Sequence, residues 1–386
     1  MIRIKDRFIG GNNPTFIIAE AGVNHNRDVK LAKQMVDVAK ESGSDTVKFH
    51  AYKTDEIYIP QAELPEYVKR NMGSKKSYFD MAESLRLDDR ELFELKRYCD
   101  ANGILFSCTP YGDYGIKLMN YMNCEFFKVS STHLTCTPFL KKLARTQKPI
   151  IISTGMSTIE DVKSAIKSIE EEGNNKIIIP HCTTNYPCPF NEVNLNVLYQ
   201  YKSLFNYPIG YSDHTEGITV PVIASIMGAS IIEKHFTLDR NMRGPDHKAS
   251  LEPNELKNMV SSIRYFEKNK PQNLLLALTE LKERFNPKEL EKVSDLQTFL
   301  LKILGKQIKE PSDSEKKIMS KARTSIVSSI DINENVVINE NMLKYTRPGT
   351  GIPPKDYLNV IGKKATTFIP KNNLLELTEQ GIGYKK

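Results

Sequence analysis

Short apolar, β-branched runs recur at a steady interval along the chain, each followed by a segment of helical period. The runs are Phe16 to Glu20, Thr46 to His50, Ile104 to Thr109, Glu125 to Ser131, Pro149 to Thr154, Lys176 to Cys182, Tyr207 to Asp213 and Ser230 to Phe236. Val29 to Ser42, Thr158 to Glu172 and Glu192 to Phe205 read as intervening helices, with Ser157 or Thr158 and Asn191 placed as N-caps. Near-continuous apolar runs such as PIIIS and KIIIP predict strands buried on both faces, as in a parallel sheet covered by helices. Eight such units in about 250 residues predict an α/β fold, a TIM (β/α)8 barrel. The alternative is a doubly wound open sheet, which more commonly has fewer strands and a Gly-rich first turn, absent here.

The pattern changes after residue 266. Residues 267–304 carry Leu-rich helical periodicity broken by Pro271 and Pro287, which predicts a helical insertion and linker over 267–320. The sharper reading of that insertion is an interaction surface. Residues 321–386 hold short strands with polar turns and the irregular stretch RPGTGIPP, a small, mostly β second domain.

Composition narrows the setting. A chain of 386 residues fits one large domain plus a small one, and 40% hydrophobic with 26% charged residues is a soluble globular balance. The net charge of +7 is spread along the chain, not gathered in an arm. It suits an anionic small substrate or a plainly solvated surface better than nucleic acid. The N-terminus MIRIKDRFIGGNN is too interrupted by charge for a signal peptide, and no stretch approaches the roughly 20 apolar residues of a membrane span. Cys99, Cys108, Cys124, Cys136, Cys182 and Cys188 form no CxxC pair or zinc spacing. A reducing, cytoplasmic setting without disulfides is expected.

Chemistry in a barrel sits where the strands end. In chain order those ends carry Glu20 with His25, Lys48 with His50, Thr109, Lys128 with Ser130 and Ser131, Ser153 with Thr154, Thr184 with Tyr186, Ser212 with Asp213 and His214, and Lys234 with His235. Any one could be a polar cap; all of them polar is hard to reach by accident. Lys48 and Lys128, with Ser131, Ser153 and Ser212, supply the point charges and hydroxyl donors a compact dianion such as a phosphate ester needs. The bland alternative pairs one lysine with Glu20 or Asp213. His214 and His235 end consecutive strands and can share a divalent cation through nitrogen and oxygen ligands. Without thiolate, Mn²⁺ is favoured, with Mg²⁺ or Co²⁺ as alternatives. The competing reading is two hydrogen-bonded core histidines, as for His133 and His181.

The segments IIAEAGVNHN, DTVKF, KVSS, STGMST, HCTTNYPCP, GYSDHTEG, IIEKHFTLDRNMRGPDHKASLEP and KYTRPGTGIPP resemble the sialic acid synthase family. The resemblance implies a TIM barrel followed by an antifreeze-like domain, in a domain-swapped homodimer whose small domains cover the partner's barrel mouth. It implies His214 and His235 as metal ligands, and Lys48, Thr109, Lys128, Ser131, Ser153 and Ser212 as holders of phosphoenolpyruvate. Glu20 then lies near the reacting centre, Tyr186 and Asp246 contact the sugar, and Arg347 arrives from the partner. The chain departs from the family at His50, usually Gln and a sugar contact, at Thr184, commonly Asn, and at Arg27, often Gly.

The implied activity joins phosphoenolpyruvate to an N-acylated amino-hexose, N-acetylmannosamine or a diacetamido-trideoxyhexose, with release of phosphate. The rivals are a related synthase of seven- or eight-carbon acids, whose members lack the RPGTGIPP domain, and a non-catalytic sugar-binding barrel.

Overall fold

The structure is a computed structural model and describes residues 1–63, 68, 71 and 77–385. The chain opens with a hairpin of β1 (Ile2–Ile4) and β2 (Arg7–Ile9). Eight parallel strands follow: β3 (Phe16–Gly22), β4 (Thr46–Ala51), β5 (Leu105–Pro110), β6 (Phe127–Val129), β7 (Ile150–Ile152), β8 (Ile177–Cys182), β9 (Ile209–Asp213) and β10 (Ile231–His235). Their order, β5-β4-β3-β10-β9-β8-β7-β6, with β5 and β6 packed together, is a TIM barrel. Every expected strand is present, within a few residues of its expected bounds.

Side chains alternate between the barrel interior and the helix layer, because the strand period is two. Phe16, Ile18, Phe126, Ile151, Ile178 and Ile231 form an interior apolar floor together with Ile2, Ile4 and Ile9 of the hairpin. The N-terminal residues, whose sequence argued only against a signal peptide, therefore plug the bottom of the barrel. Residues of opposite parity, such as Ile17, Val47, Phe49, Ile152 and Ile232, pack outward against the helices.

The helix over Val29–Glu41 is capped by Asp28, and that over Ile159–Glu170 by a capping box between Thr158 and Asp161. Asn191 is not a cap. Phe190–Glu192 is a single 3-10 turn, Asn194 breaks the path at φ 52°, and the helix starts only at Val197. The insertion forms helices over Leu274–Phe285 and Leu296–Leu304, whose Leu278, Leu281, Phe299 and Ile303 join the main core outside the barrel. It is thus part of the barrel's helical coat. Between the two helices, Glu289 accepts from the amides of Ile218 (2.6 Å) and Thr219 (2.7 Å), capping the helix over Thr219–Ile226.

A connector carrying the helix Asp313–Ala322 leads to the small domain, built from β11 (Ser325–Ser328) with β12 (Leu343–Thr346) and β13 (Leu375–Thr378) with β14 (Gly381–Tyr384). Ile326, Ile332, Ile338, Ile369 and Ile382 form its own core. All six cysteines are buried and free. No helix among the described residues is long and apolar enough to cross a membrane.

Candidate active site

One layer above the apolar floor, the interior turns polar. Register sets Glu20 of β3 beside Lys48 of β4 and His235 of β10, His50 beside Thr109, and Glu233 beside Ser212. These side chains open into a cavity of about 470 Å³ at the C-terminal end of the barrel. It is lined by each residue given a catalytic, substrate or metal role above: Glu20, Lys48, His50, Thr109, Lys128, Ser131, Ser153, Thr184, Tyr186, Ser212, His214, His235, Asp246 and Arg347.

The floor of the cavity is a charged network. Lys48 Nζ meets Glu20 Oε2 at 2.7 Å and donates to Thr109 Oγ1 at 2.7 Å. Lys128 Nζ donates to Ser153 Oγ at 2.7 Å and meets Glu233 Oε1 at 3.0 Å, an oxygen that also accepts from Ser212 Oγ at 3.0 Å. Burial alone would raise the pKa of Glu20, but Lys48 and then His50 hold it well below the usual carboxylate range. Glu233 is likewise opposed by burial and lowered by Lys128 and Lys48. Burial would lower Lys48, and Glu20 and Glu233 together more than reverse this. Ammoniums and hydroxyls converging on one buried spot can receive a compact dianion, with two carboxylates as their resting counter-charge.

His50 Nε2 lies 3.1 Å from Glu20 Oε1, and its ring packs edge-on against Tyr52 and Tyr111. The rings of His214 and His235 are 5.6 Å apart, and Tyr186 lies 4.2 Å from the first and 5.7 Å from the second. His214 Nδ1 is hydrogen-bonded to the carbonyl of Thr183 at 2.8 Å, so it carries the proton and leaves Nε2 a lone pair. His235 Nδ1 is buried with no hydrogen-bond partner among the described residues, and burial lowers the imidazole's pKa to about 3, so the ring is neutral. An orphaned ring nitrogen beside an imidazole oriented by a backbone carbonyl is what a divalent cation would satisfy, and the pair fits one. Among the described residues no group of three His, Cys, Asp or Glu side chains forms a closed site, so a cation held by this pair would take its other ligands from substrate or water oxygens.

Away from the charges the wall is apolar: Val23, Tyr52, Ile57, Met81, Leu85 and Ile318 face the same space. Asp246 lines the cavity within reach of the charges of His50, Glu20 and His214, and burial raises its carboxyl to about 6. Arg347 reaches in from the small domain, donating to Tyr58 Oη at 2.7 Å and to Thr132 Oγ1 at 3.3 Å. Its backbone is clasped between Ile57 and Ile59. Within the single chain it lines the same cavity as Lys317, Ile318 and Lys321 of the segment that leads to the small domain.

Not every polar strand end faces the cavity. Asp213 and Lys234 form a buried ion pair. They follow Ser212 and Glu233 by one position, so the strand period turns them out toward the helices. Thr154 is outward too, bonded to Tyr201, and His25 contacts Phe49 and the Arg27 amide. His133 and His181 are buried and hydrogen-bonded to Thr132 and Val193, outside the cavity lining. Sequence reading missed Glu233, although its parity with His235 points it inward. It also missed Tyr58 and Tyr111, and Glu315 of the connector, which no local motif announces.

Comparison with known proteins agrees with this geometry. Residues 35–273 match the NeuB family. The chain is 37% identical to an N,N'-diacetyllegionaminic acid synthase of Campylobacter jejuni, over 94% of this chain and 98% of that one. It is 32% identical to the human N-acetylneuraminate-9-phosphate synthase, over 96% and 93%. Among solved structures, a spore coat polysaccharide biosynthesis protein of Bacillus subtilis superposes with a TM-score of 0.77 at 31% identity, over 100% of this chain and 99% of that one. The chain belongs to the NeuB family, the sialic acid synthases.

Proposed function

We propose that this chain condenses phosphoenolpyruvate with an N-acylated amino-hexose to give a nonulosonic acid and inorganic phosphate. The observation that carries the reading is the pair Lys48 and Lys128, held by Glu20 and Glu233 and flanked by Thr109, Ser153 and Ser212 at the cavity floor. Phosphoenolpyruvate would sit there. Both ammoniums exchange their carboxylates for the phosphate, and Ser131 and Thr184 close the cradle. The sugar's open-chain aldehyde would face the histidine pair. His214 and His235 would hold a divalent ion, Mn²⁺ by preference, whose contribution is Lewis acidity at an oxygen.

C3 of phosphoenolpyruvate forms the new bond to the aldehyde carbon, and the aldehyde oxygen gains a proton to become a hydroxyl. The positive character left at C2 is met by water, and the tetrahedral carbon then expels phosphate by breaking its C–O bond, leaving the keto group. Glu20 takes the water's proton. Lys48 depresses its basicity at rest, and turning Lys48 toward the phosphate restores it.

The apolar wall supports the diacetamido-trideoxyhexose over N-acetylmannosamine, because the former replaces hydroxyls with methyl-bearing groups that such a wall favours. His50, Tyr186, Asp246 and Arg347 would orient it. We propose further that the small domain serves a partner in a homodimer. Exchange between two copies would recreate each contact described within one chain. The direct test is phosphate release from phosphoenolpyruvate with each sugar in turn. No release with either would end this reading.

A further inference from the structure

We propose that Glu315, on the connector between barrel and small domain, is a positioning residue for the half of the site that receives phosphoenolpyruvate. The inference rests on the function proposed above. In the helix Asp313–Ala322, Glu315 is the buried residue, 1% exposed. Its Oε2 accepts from the Ser312 amide at 2.9 Å, the ordinary work of a capping box. Its Oε1 instead accepts from two amides of the barrel, Met156 at 2.6 Å and Thr184 at 2.7 Å. These lie in the loops after β7 and β8, far from Glu315 in sequence.

Those two loops meet at Gly155. A Cβ there would stand 2.0 Å from Thr184 Oγ1 and 2.8 Å from Ser131 Oγ, so only glycine permits the approach. The Gly155 amide donates to Ser131 Oγ at 3.0 Å. Next in the chain, Met156 is held at φ 56°, a left-handed conformation that a side chain tolerates only when its surroundings enforce it. The connector holds both polar groups of this residue: Glu315 takes the amide, and Arg323 donates to the carbonyl. Lys309, 3% exposed, adds a third tie by donating to the Cys182 carbonyl at 3.1 Å, two residues before Thr184. Ser131 and Thr184 are thus set against one another across Gly155, two residues after Ser153, by a carboxylate outside the cavity lining. A helix cap alone needs none of these contacts. Loss of Glu315 frees both loops on the phosphate side; of the residues proposed to orient the sugar, Tyr186 alone follows in the loop after β8, while His50, Asp246 and Arg347 stand on other elements.

The test combines kinetics with amide exchange. Glu315→Ala is expected to raise the KM for phosphoenolpyruvate about tenfold while moving that of the sugar less than about twofold. It should also expose the Met156 and Thr184 amides, protected in the parent protein, to rapid hydrogen–deuterium exchange. Glu315→Gln keeps an acceptor oxygen and should restore most of the affinity. Should the alanine variant not fold, Glu315→Asp carries the same kinetic expectation, since it keeps the charge but falls short of the two amides. Equal shifts in both KM values, an unchanged phosphoenolpyruvate KM in a folded variant, or fast exchange at both amides in the parent protein would overturn the proposal. If the parent protein releases no phosphate with any sugar, the proposed function fails. The exchange comparison then still decides whether Glu315 clamps the two loops.

Discussion

Glu233 Oε1 stands 3.0 Å from Lys128 Nζ, while its other carboxylate oxygen turns toward Lys48 at 3.9 Å. One carboxylate is therefore the counter-charge of two ammoniums that belong to different strands. Without it, both would repel across the cavity floor and Ser212 would lose its acceptor. Glu233→Gln should lower kcat/KM about 100-fold with a melting temperature close to that of the parent. Steady-state kinetics beside a thermal melt decides this. A variant within about twofold of the parent would show the bridge to be a spectator.

The neighbouring pair behaves differently because it faces the other way. Lys234 is 1% exposed and its charge is matched by Asp213 behind the barrel wall. Asp213→Ala leaves an uncompensated buried ammonium and should cost about 3–5 kcal/mol of stability in a denaturant titration. Adding Lys234→Met should recover most of that loss. No recovery would mean that the pair does more than neutralise itself.

Much of this layout was legible in the sequence, for physical reasons that also mark where reading stopped. Buried parallel strands are apolar on both faces, so PIIIS and KIIIP could be little else, and polar residues where such runs end stand out. The period of two was the unused signal. Since His235 faces in, Glu233 must face in and Lys234 out, yet a list of strand ends put Lys234 with the site and passed over Glu233. Glu289 and Glu315 were beyond local reading altogether. Each serves amides brought near only by the folded chain, and a glutamate in a helical segment looks like any solvated one.

The histidine pair makes a separate demand. Among the described residues His235 Nδ1 has no hydrogen-bond partner, and His214 is oriented by a backbone carbonyl. Replacing either by alanine should abolish turnover while the circular dichroism spectrum persists. Exhaustive chelation should do the same to the parent protein, reversibly on adding Mn²⁺. Full activity with metal content near zero would contradict the assignment.

Arg347 enters the cavity from the small domain, and exchange of that domain between copies can be read out by complementation. Arg347→Ala and Lys48→Ala chains should each be inactive. After subunit exchange, the mixed dimer should regain one whole site, with about half the parent's activity per heterodimer. Proven heterodimers that stay inactive would show that each arginine serves its own barrel.

At the centre of the proposed reaction, C3 of phosphoenolpyruvate bonds to a sugar aldehyde, water adds at C2, and phosphate leaves by C–O cleavage. Phosphoenolpyruvate labelled with ¹⁸O in the oxygen bridging C2 and phosphorus tests it most directly, with the diacetamido-trideoxyhexose as acceptor and N-acetylmannosamine beside it. The account expects the label in the released phosphate, in equal amount to a nine-carbon keto acid, and faster with the diacetamido sugar. Label retained in the organic product, or phosphate released without a new sugar acid, would contradict it.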